Sequence, residues 1–392
     1  MEYVKVVSNK KIHGWYPGKR ECTSERVLLN PYLGCEIGCF FCYTLGYPGK
    51  FQIAKKENKI FVYINFVENL KKQIERLNFI STCYLSPVSD PLQPAEKIFK
   101  ITEKTIEFLL SKNIPFNITT KEKIPENFIE MMKEHPHCYG QVSILTVNED
   151  LRKKLMRKGA ETEELFRNIE KLSKNNIFSI CRIDPIIPFI NDDEKDIEEI
   201  IKRGVDNGVR HIISSVMDIH ISVKEEIFTE IEKRFGLSKR KKIENLYKEK
   251  IGSYLHTEIS YRRRIFTILR NLCDKYKITF ALCMEFEKKN GKIYGLNREF
   301  ASSINCEGIN IPVYKRNGEK FYPSASCDGN CLNCKKPLCG IDELAQGKVK
   351  NNNYKGFTYY DYLKWSRKEM ELFKWNLYLL QNHPEEKNYL KE

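Results

Sequence analysis

From residue 26 to residue 217 the chain alternates short apolar runs with longer stretches whose apolar residues recur at helical spacing. No other feature restricts the fold so strongly. The strand-like runs are RVLLN (26–30), STCYLSP (81–87), PFNITT (115–120), YGQVSILT (139–146), IFSICRIDP (177–185) and VRHIISSVM (209–217). Helical periodicity marks 66–77, 98–113, 124–135, 149–156, 162–175 and 193–208. Six β–α units in about 200 residues predict a parallel α/β sheet joined by right-handed crossovers. A doubly wound sheet and a barrel fit this alternation equally well. Beyond it, residues 222–276 look helical and basic, 277–286 predicts one more strand, and 359–381 predicts an aromatic-rich helix.

No apolar run approaches the roughly 20 residues that a membrane helix requires, and the first residues lack the layout of a secretory signal. A cytoplasmic protein is expected. In a reducing compartment a chain of 392 residues has no need of a disulfide framework, so its 14 cysteines ask for another explanation. Eight of them fall in two groups, at 35/39/42 and at 306/327/331/334/339, which points to metal or iron–sulfur ligation. The scattered Cys22, Cys83, Cys138, Cys181, Cys273 and Cys283 read as small buried apolar residues.

Cys35, Cys39 and Cys42 form C-x3-C-x2-C directly after the first strand. A structural zinc takes four closed ligands. Three thiols on a tight loop, with Gly38 before the middle one, suit a [4Fe–4S] cubane that keeps one iron open to an outside ligand. With Phe41 ahead of the third cysteine, the motif resembles that of the radical SAM superfamily. NPYLGCEIGCFFCY (30–43), SPVSDPLQPAE (86–96), ITTKEKIPEN (118–127), residues 142–177 and DPIIPFINDD (184–193) resemble its spore photoproduct lyase-like group.

The resemblance implies a partial (β/α)6 TIM-like barrel with its chemistry at the C-terminal ends of the strands. It implies S-adenosylmethionine (SAM) chelating the open iron, and reductive cleavage to a 5′-deoxyadenosyl radical that abstracts hydrogen from substrate. Carried onto this chain, it places Phe41 and Tyr43 beside the cluster and the adenine. Ser89 and Asp90 would stand at the amino end of SAM, and Lys121 and Ser143 within reach of its carboxylate or ribose. The bland alternatives are an Asx turn at Ser89-Asp90-Pro91 and a surface lysine at 121. Spore photoproduct lyase has a hydrogen-donating cysteine where this chain has Pro87, and Cys83 lies about 13 Å away at ~3.3 Å per residue. A different radical reaction is therefore expected. The expected division is an N-terminal extension (1–24), the radical SAM partial barrel (25–221), a basic helical segment with a final strand (222–290), a cysteine-rich metal site (291–345) and a C-terminal aromatic helix (346–392).

In that cysteine-rich part, Cys327, Cys331, Cys334 and Cys339 supply four thiols at C-x3-C-x2-C-x4-C spacing, with Cys306 in reserve. The spacing favours a second [4Fe–4S] cluster over zinc. A net charge of +14 favours a polyanionic partner, and residues 233–264 hold eleven Lys/Arg against three Glu. With Tyr247, Tyr254 and Tyr261 for stacking, this segment reads as a nucleic-acid surface, or as a solvated lysine-rich helix. The expected function is radical modification or repair of nucleic acid, fed by flavodoxin or ferredoxin. The alternatives are radical chemistry on a peptide or small metabolite and, third, a non-catalytic metal and nucleic-acid binding module.

Overall fold

The computed structural model describes residues 1–14, 25–325, 327–346 and 356–368. Its main sheet contains seven parallel strands: β1 (Val27–Leu29), β2 (Cys83–Leu85), β3 (Phe116–Thr120), β4 (Tyr139–Ser143), β5 (Phe178–Ile186), β6 (His211–Val216) and β7 (Thr279–Leu282). They lie side by side in sequence order, and the short strand His13–Gly14 adds antiparallel to β1. A doubly wound sheet would reverse direction part-way. The unbroken order is that of a singly wound, barrel-type sheet, which settles what periodicity could not. Helices α1 (Phe66–Ile74), α2 (Ile101–Ser111), α3 (Glu126–Lys133), α4 (Thr162–Lys174), α5 (Glu194–Asp206) and α6 (Ile259–Lys275) follow β1 to β6 in turn.

Strand pairing fixes which residues share a face. Tyr84 stands beside Asn117, Asn117 beside Tyr139, Thr119 beside Gln141, and Ser143 beside Arg182. This polar face lines the barrel, and the alternate residues, Leu85, Ile118, Val142, Cys181, Ile183 and Ile212, are buried in the main apolar core. Cys83 lies on that apolar side, beside Cys138, and burial pushes both thiols up. Cys83 therefore cannot present its thiol to the barrel interior.

The polar lining is hydrogen-bonded rather than wet by default. Glu307, buried, accepts from Arg26 Nε (2.9 Å), the Tyr139 hydroxyl (2.6 Å) and Gln141 Nε2 (3.3 Å). Gln141 Oε1 in turn accepts from Arg182 Nη1 (2.8 Å), and Asn117 Nδ2 donates to the Tyr139 hydroxyl (3.0 Å). A segment far along the chain thus fills the floor of the barrel with a carboxylate. Charge-assisted bonds of this kind offset the desolvation of Arg26, which is 0% exposed.

Three expectations change. The helix expected at 98–113 breaks at Lys100, whose φ of +53° separates Pro94–Phe99 from α2. The basic helical segment contains an antiparallel hairpin, Glu249–Ile251 with Tyr254–His256, turned at Gly252 (φ +62°). The N-terminal extension is no mere tail, because Glu2–Val6 pairs parallel with Lys59–Tyr63, which also pairs with Tyr32–Leu33. Of the aromatic helix, 359–368 is helical; its remainder, like Cys22, lies outside the described residues. No helix among the described residues is long and apolar enough to cross a membrane.

Candidate active site

The three-cysteine loop follows the Tyr32–Leu33 strand, and several interactions fix its path. Gly34 and Gly38 adopt φ of +93° and +68°, which side chains oppose. At Gly38 a Cβ would also come within 2.7 Å of Arg157 Nε. Lys158 N donates to Ile37 O (2.9 Å), and Cys39 bridges to Met156, so the segment after Glu149–Leu155 backs the loop. Glu36, inside the motif, is buried: its Oε1 accepts from Ala95 N (2.8 Å) and Tyr3 OH (3.1 Å), and Lys158 Nζ meets Oε2 at 3.1 Å. Gln93 Oε1 accepts from Glu36 N (2.9 Å). Phe40 and Phe41 meet edge to face at 5.4 Å between centroids, in an apolar cluster with Leu145, Leu155, Met156, Ile187 and Met217.

Cys35, Cys39 and Cys42 are partly buried and act on one another electrostatically. Burial raises the Cys35 thiol well above the ordinary range, and Asp90 and Cys39 add to the rise. Burial pushes Cys39 up to about 12 against the nearby charge of Lys121. Thiols held neutral in this way are inert until metal displaces their protons.

The remaining expected SAM residues gather at the same mouth. Tyr43 donates its hydroxyl to Pro87 O, tying the cysteine loop to the turn after β2. Ser86, in the left-handed region at φ +53°, and Ser89 keep buried hydroxyl oxygens with no hydrogen-bond partner. Asp90 accepts from Leu92 N (2.9 Å), Thr120 Oγ1 (2.8 Å) and Lys121 N (2.8 Å), so its carboxylate joins the ends of β2 and β3. Ser143 is buried at the end of β4, one pairing step beyond Thr120–Val142 and so level with Lys121. Three thiols for three irons, and orphaned serine oxygens beside them, fit a cluster and the polar end of SAM.

Sequence reasoning missed the inner wall of this mouth. Arg182 Nη2 meets Asp184 Oδ2 at 2.5 Å, the Ser215 hydroxyl donates to Asp184 Oδ1, and the Thr119 hydroxyl donates to Tyr84 (2.9 Å). Cys283, at the end of β7, is held by burial near 12, with Arg182 opposing and Asp184 adding to the rise. The available signal was Arg182 and Asp184 two residues apart in the otherwise apolar FSICRIDP, a spacing that puts both on one face. The basic segment differs from expectation as well. Tyr247 and Tyr261 are buried, their hydroxyls on Met217 O (2.8 Å) and Asp192 Oδ2 (2.6 Å), and cannot stack on bases. Arg240 pairs with Glu225 and Glu232, Arg262 with Glu249 and Glu285, Arg263 with Glu287 and Glu299. Lys233, Lys241, Lys242, Lys248 and Lys250 stay exposed.

Residues 29–204 match the family model for the radical SAM superfamily. That stretch of the chain is a radical SAM domain. A protein of Pseudomonas phage M6 named radical SAM Nα-GlyT isomerase is 24% identical over 373 residues, 89% of this chain and 77% of its own length. An uncharacterized protein of Methanocaldococcus jannaschii is 26% identical over 194 residues, 50% of this chain and 71% of its own. Among solved structures, spore photoproduct lyase complexed with dinucleoside spore photoproduct superposes with a TM-score of 0.56 at 13% identity, over 71% of this chain and 81% of that one. At that identity the likeness concerns the fold, and it agrees with the consecutive parallel strands.

Proposed function

We propose that this chain is a radical SAM enzyme that modifies a nucleoside within a nucleic acid. One observation carries the reading: three mutually interacting thiols, unpartnered serine oxygens and a polar inner wall meet at a single mouth of the barrel. When bound, the cluster and SAM would supply a 5′-deoxyadenosyl radical, with the electron coming from a flavodoxin or ferredoxin. Cys35, Cys39 and Cys42 would hold the irons. Ser86 and Ser89 would take the polar end of SAM, Lys121 its carboxylate, and Phe41 and Tyr43 its adenine side. Asp90, with its lone pairs committed to Leu92, Thr120 and Lys121, would hold the turn that presents them.

Arg182, Asp184, Ser215, Tyr84 and Thr119 offer donors and acceptors suited to the edges of a flat polar base, and a charge pair already satisfied within the wall. In support of a nucleoside, spore photoproduct lyase, which shares the fold, is solved in complex with dinucleoside spore photoproduct. The exposed lysines of 233–250 would hold backbone phosphate without help from the buried Tyr247 and Tyr261, while Tyr254 is half-buried. A peptide substrate is the second reading, because four further thiols face one cavity and auxiliary clusters accompany peptide chemistry in this superfamily.

The test is anaerobic reconstitution with iron and sulfide, dithionite reduction and assay for 5′-deoxyadenosine, which Cys39→Ala should abolish. Undiminished product from that variant refutes the cluster assignment. Oligonucleotide binding whose logarithm falls linearly with log salt supports the nucleic-acid reading, and salt-independent or absent binding turns it toward a peptide.

A further inference from the structure

Outside the radical SAM mouth, the densest group of metal-binding side chains is the C-terminal knuckle. Cys327, Cys331, Cys334 and Cys339 all line one cavity of about 340 Å³, together with Asn330, Asn333 and Leu338. Their thiols are near enough to act on one another: Cys327 and Cys339 on Cys331, and Cys327 and Cys334 on Cys339. Cys306 does not line this cavity; it is buried beside Cys283, and its carbonyl accepts from His211 Nε2 at 3.1 Å. A zinc would draw four sulfurs to about 2.3 Å from one point. The C-x3-C-x2-C-x4-C spacing of the knuckle is closer to that of iron–sulfur sites.

The position of the knuckle sets its role. Cys331 lies close enough to Glu25 and Arg26 for their charges to act on its thiol, and these residues immediately precede β1. The knuckle therefore caps the floor of the barrel, at the end opposite the three-cysteine loop. From Arg26 to Asn30, where β1 opens into the mouth, four residues span about 13 Å. Arg26 also leaves Nη2 buried with no hydrogen-bond partner, and a cluster with four thiolates would bring negative charge next to it.

We propose that Cys327, Cys331, Cys334 and Cys339 bind a second, fully protein-ligated [4Fe–4S] cluster that closes the barrel floor. With four thiolates on four irons no corner is open, so this cluster binds neither SAM nor substrate. Its distance from the mouth excludes it from direct contact with the group attacked there.

The experiment uses full-length protein with the first site removed, Cys35→Ala/Cys39→Ala/Cys42→Ala, reconstituted anaerobically and assayed for iron, acid-labile sulfide and zinc. About four irons and four sulfides per chain are expected, with a reduced electron paramagnetic resonance signal that SAM does not change. One zinc without iron, or no bound metal, overturns the proposal. Should the triple variant not fold, Cys331→Ser/Cys334→Ser in a chain that keeps Cys35, Cys39 and Cys42 serves instead. Its iron should fall from about eight to about four per chain while a SAM-responsive signal persists. Loss of that responsive signal with retention of the unresponsive one overturns the assignment. Cys306→Ser should leave the iron count unchanged; a loss of about four irons overturns the ligand set. Because the readout survives without the SAM site, failure here is distinct from failure of the function proposed above.

Discussion

Glu307→Ala offers the sharpest test of how the barrel floor is held. Glu307 is 2% exposed and Arg26 is 0% exposed, and they meet at 2.9 Å. Truncation removes one of two counter-charges, since Glu25 Oε1 remains 3.1 Å from Arg26 Nη1. It also takes the acceptor from the Tyr139 O–H, whose oxygen still accepts from Asn117 Nδ2. Breaking a buried pair costs about 3–5 kcal/mol; Glu25 pulls the figure toward the lower end, and an orphaned hydroxyl adds about 1–3 kcal/mol. A loss of about 4–6 kcal/mol follows, or a fall in Tm of about 5–7 °C for a chain of this size. Differential scanning fluorimetry at neutral pH reads it. The combination Glu25→Gln/Arg26→Met/Glu307→Leu removes the whole charged triad, and should regain more than half of the loss, because buried ion groups are replaceable by apolar ones of similar volume. A single variant that shifts Tm by less than about 2 °C, or a triple variant worse than the single, refutes the reasoning.

Gly38→Ala should weaken iron retention and cost about 1–2 kcal/mol, since an L-residue at φ +68° is strained and its Cβ meets Arg157; iron content after desalting checks it. Asp90→Ala should lower Tm by several degrees as well as SAM affinity, because three donors lose their acceptor; loss of SAM affinity at unchanged Tm, measured by calorimetry, shows a direct ligand role instead. Burial lowers His211 to about 4 and His256 to about 3, below the unfolded value near 6.5. The unfolded chain therefore takes up protons first, and stability should drop as pH falls from about 6.5 toward 4. For His211, 0% exposed, this loss amounts to about 3 kcal/mol. His211→Gln should make that acid limb shallower in melts between pH 7 and 5, with His256 and His135, also lowered by burial, supplying the rest.

Much of the fold was legible because β-branched runs such as IFSIC and HIISSV leave a parallel strand few alternatives, and periodic helices separate them. Strand order was not legible in the alternation, which serves either winding; the cysteine motif's resemblance supplied the barrel, and the consecutive pairing agrees with it. The αL break at Lys100 hid inside an apolar pattern that continues through it, and the 249–256 hairpin hid in lysine-rich sequence with no apolar alternation. At the candidate site, cysteine spacing was legible because ligation demands it. Glu307 was not, because it reaches Tyr139 across 168 positions of sequence. Tyr247 and Tyr261 show the opposite failure, since aromatic rings among lysines look like a binding surface until their burial is known.

The residues between the three cysteines are not spacers. Glu36 is bonded to the beginning of another helix, Ile37 lends its carbonyl to Lys158, Gly38 makes room for Arg157, and the two phenylalanines anchor in apolar packing. Grafting the eight-residue stretch onto a foreign barrel would carry over the sulfurs but leave behind every partner that orients them. Searches that treat the intervening letters as wildcards therefore retrieve the chemistry while discarding the docking instructions written beside it.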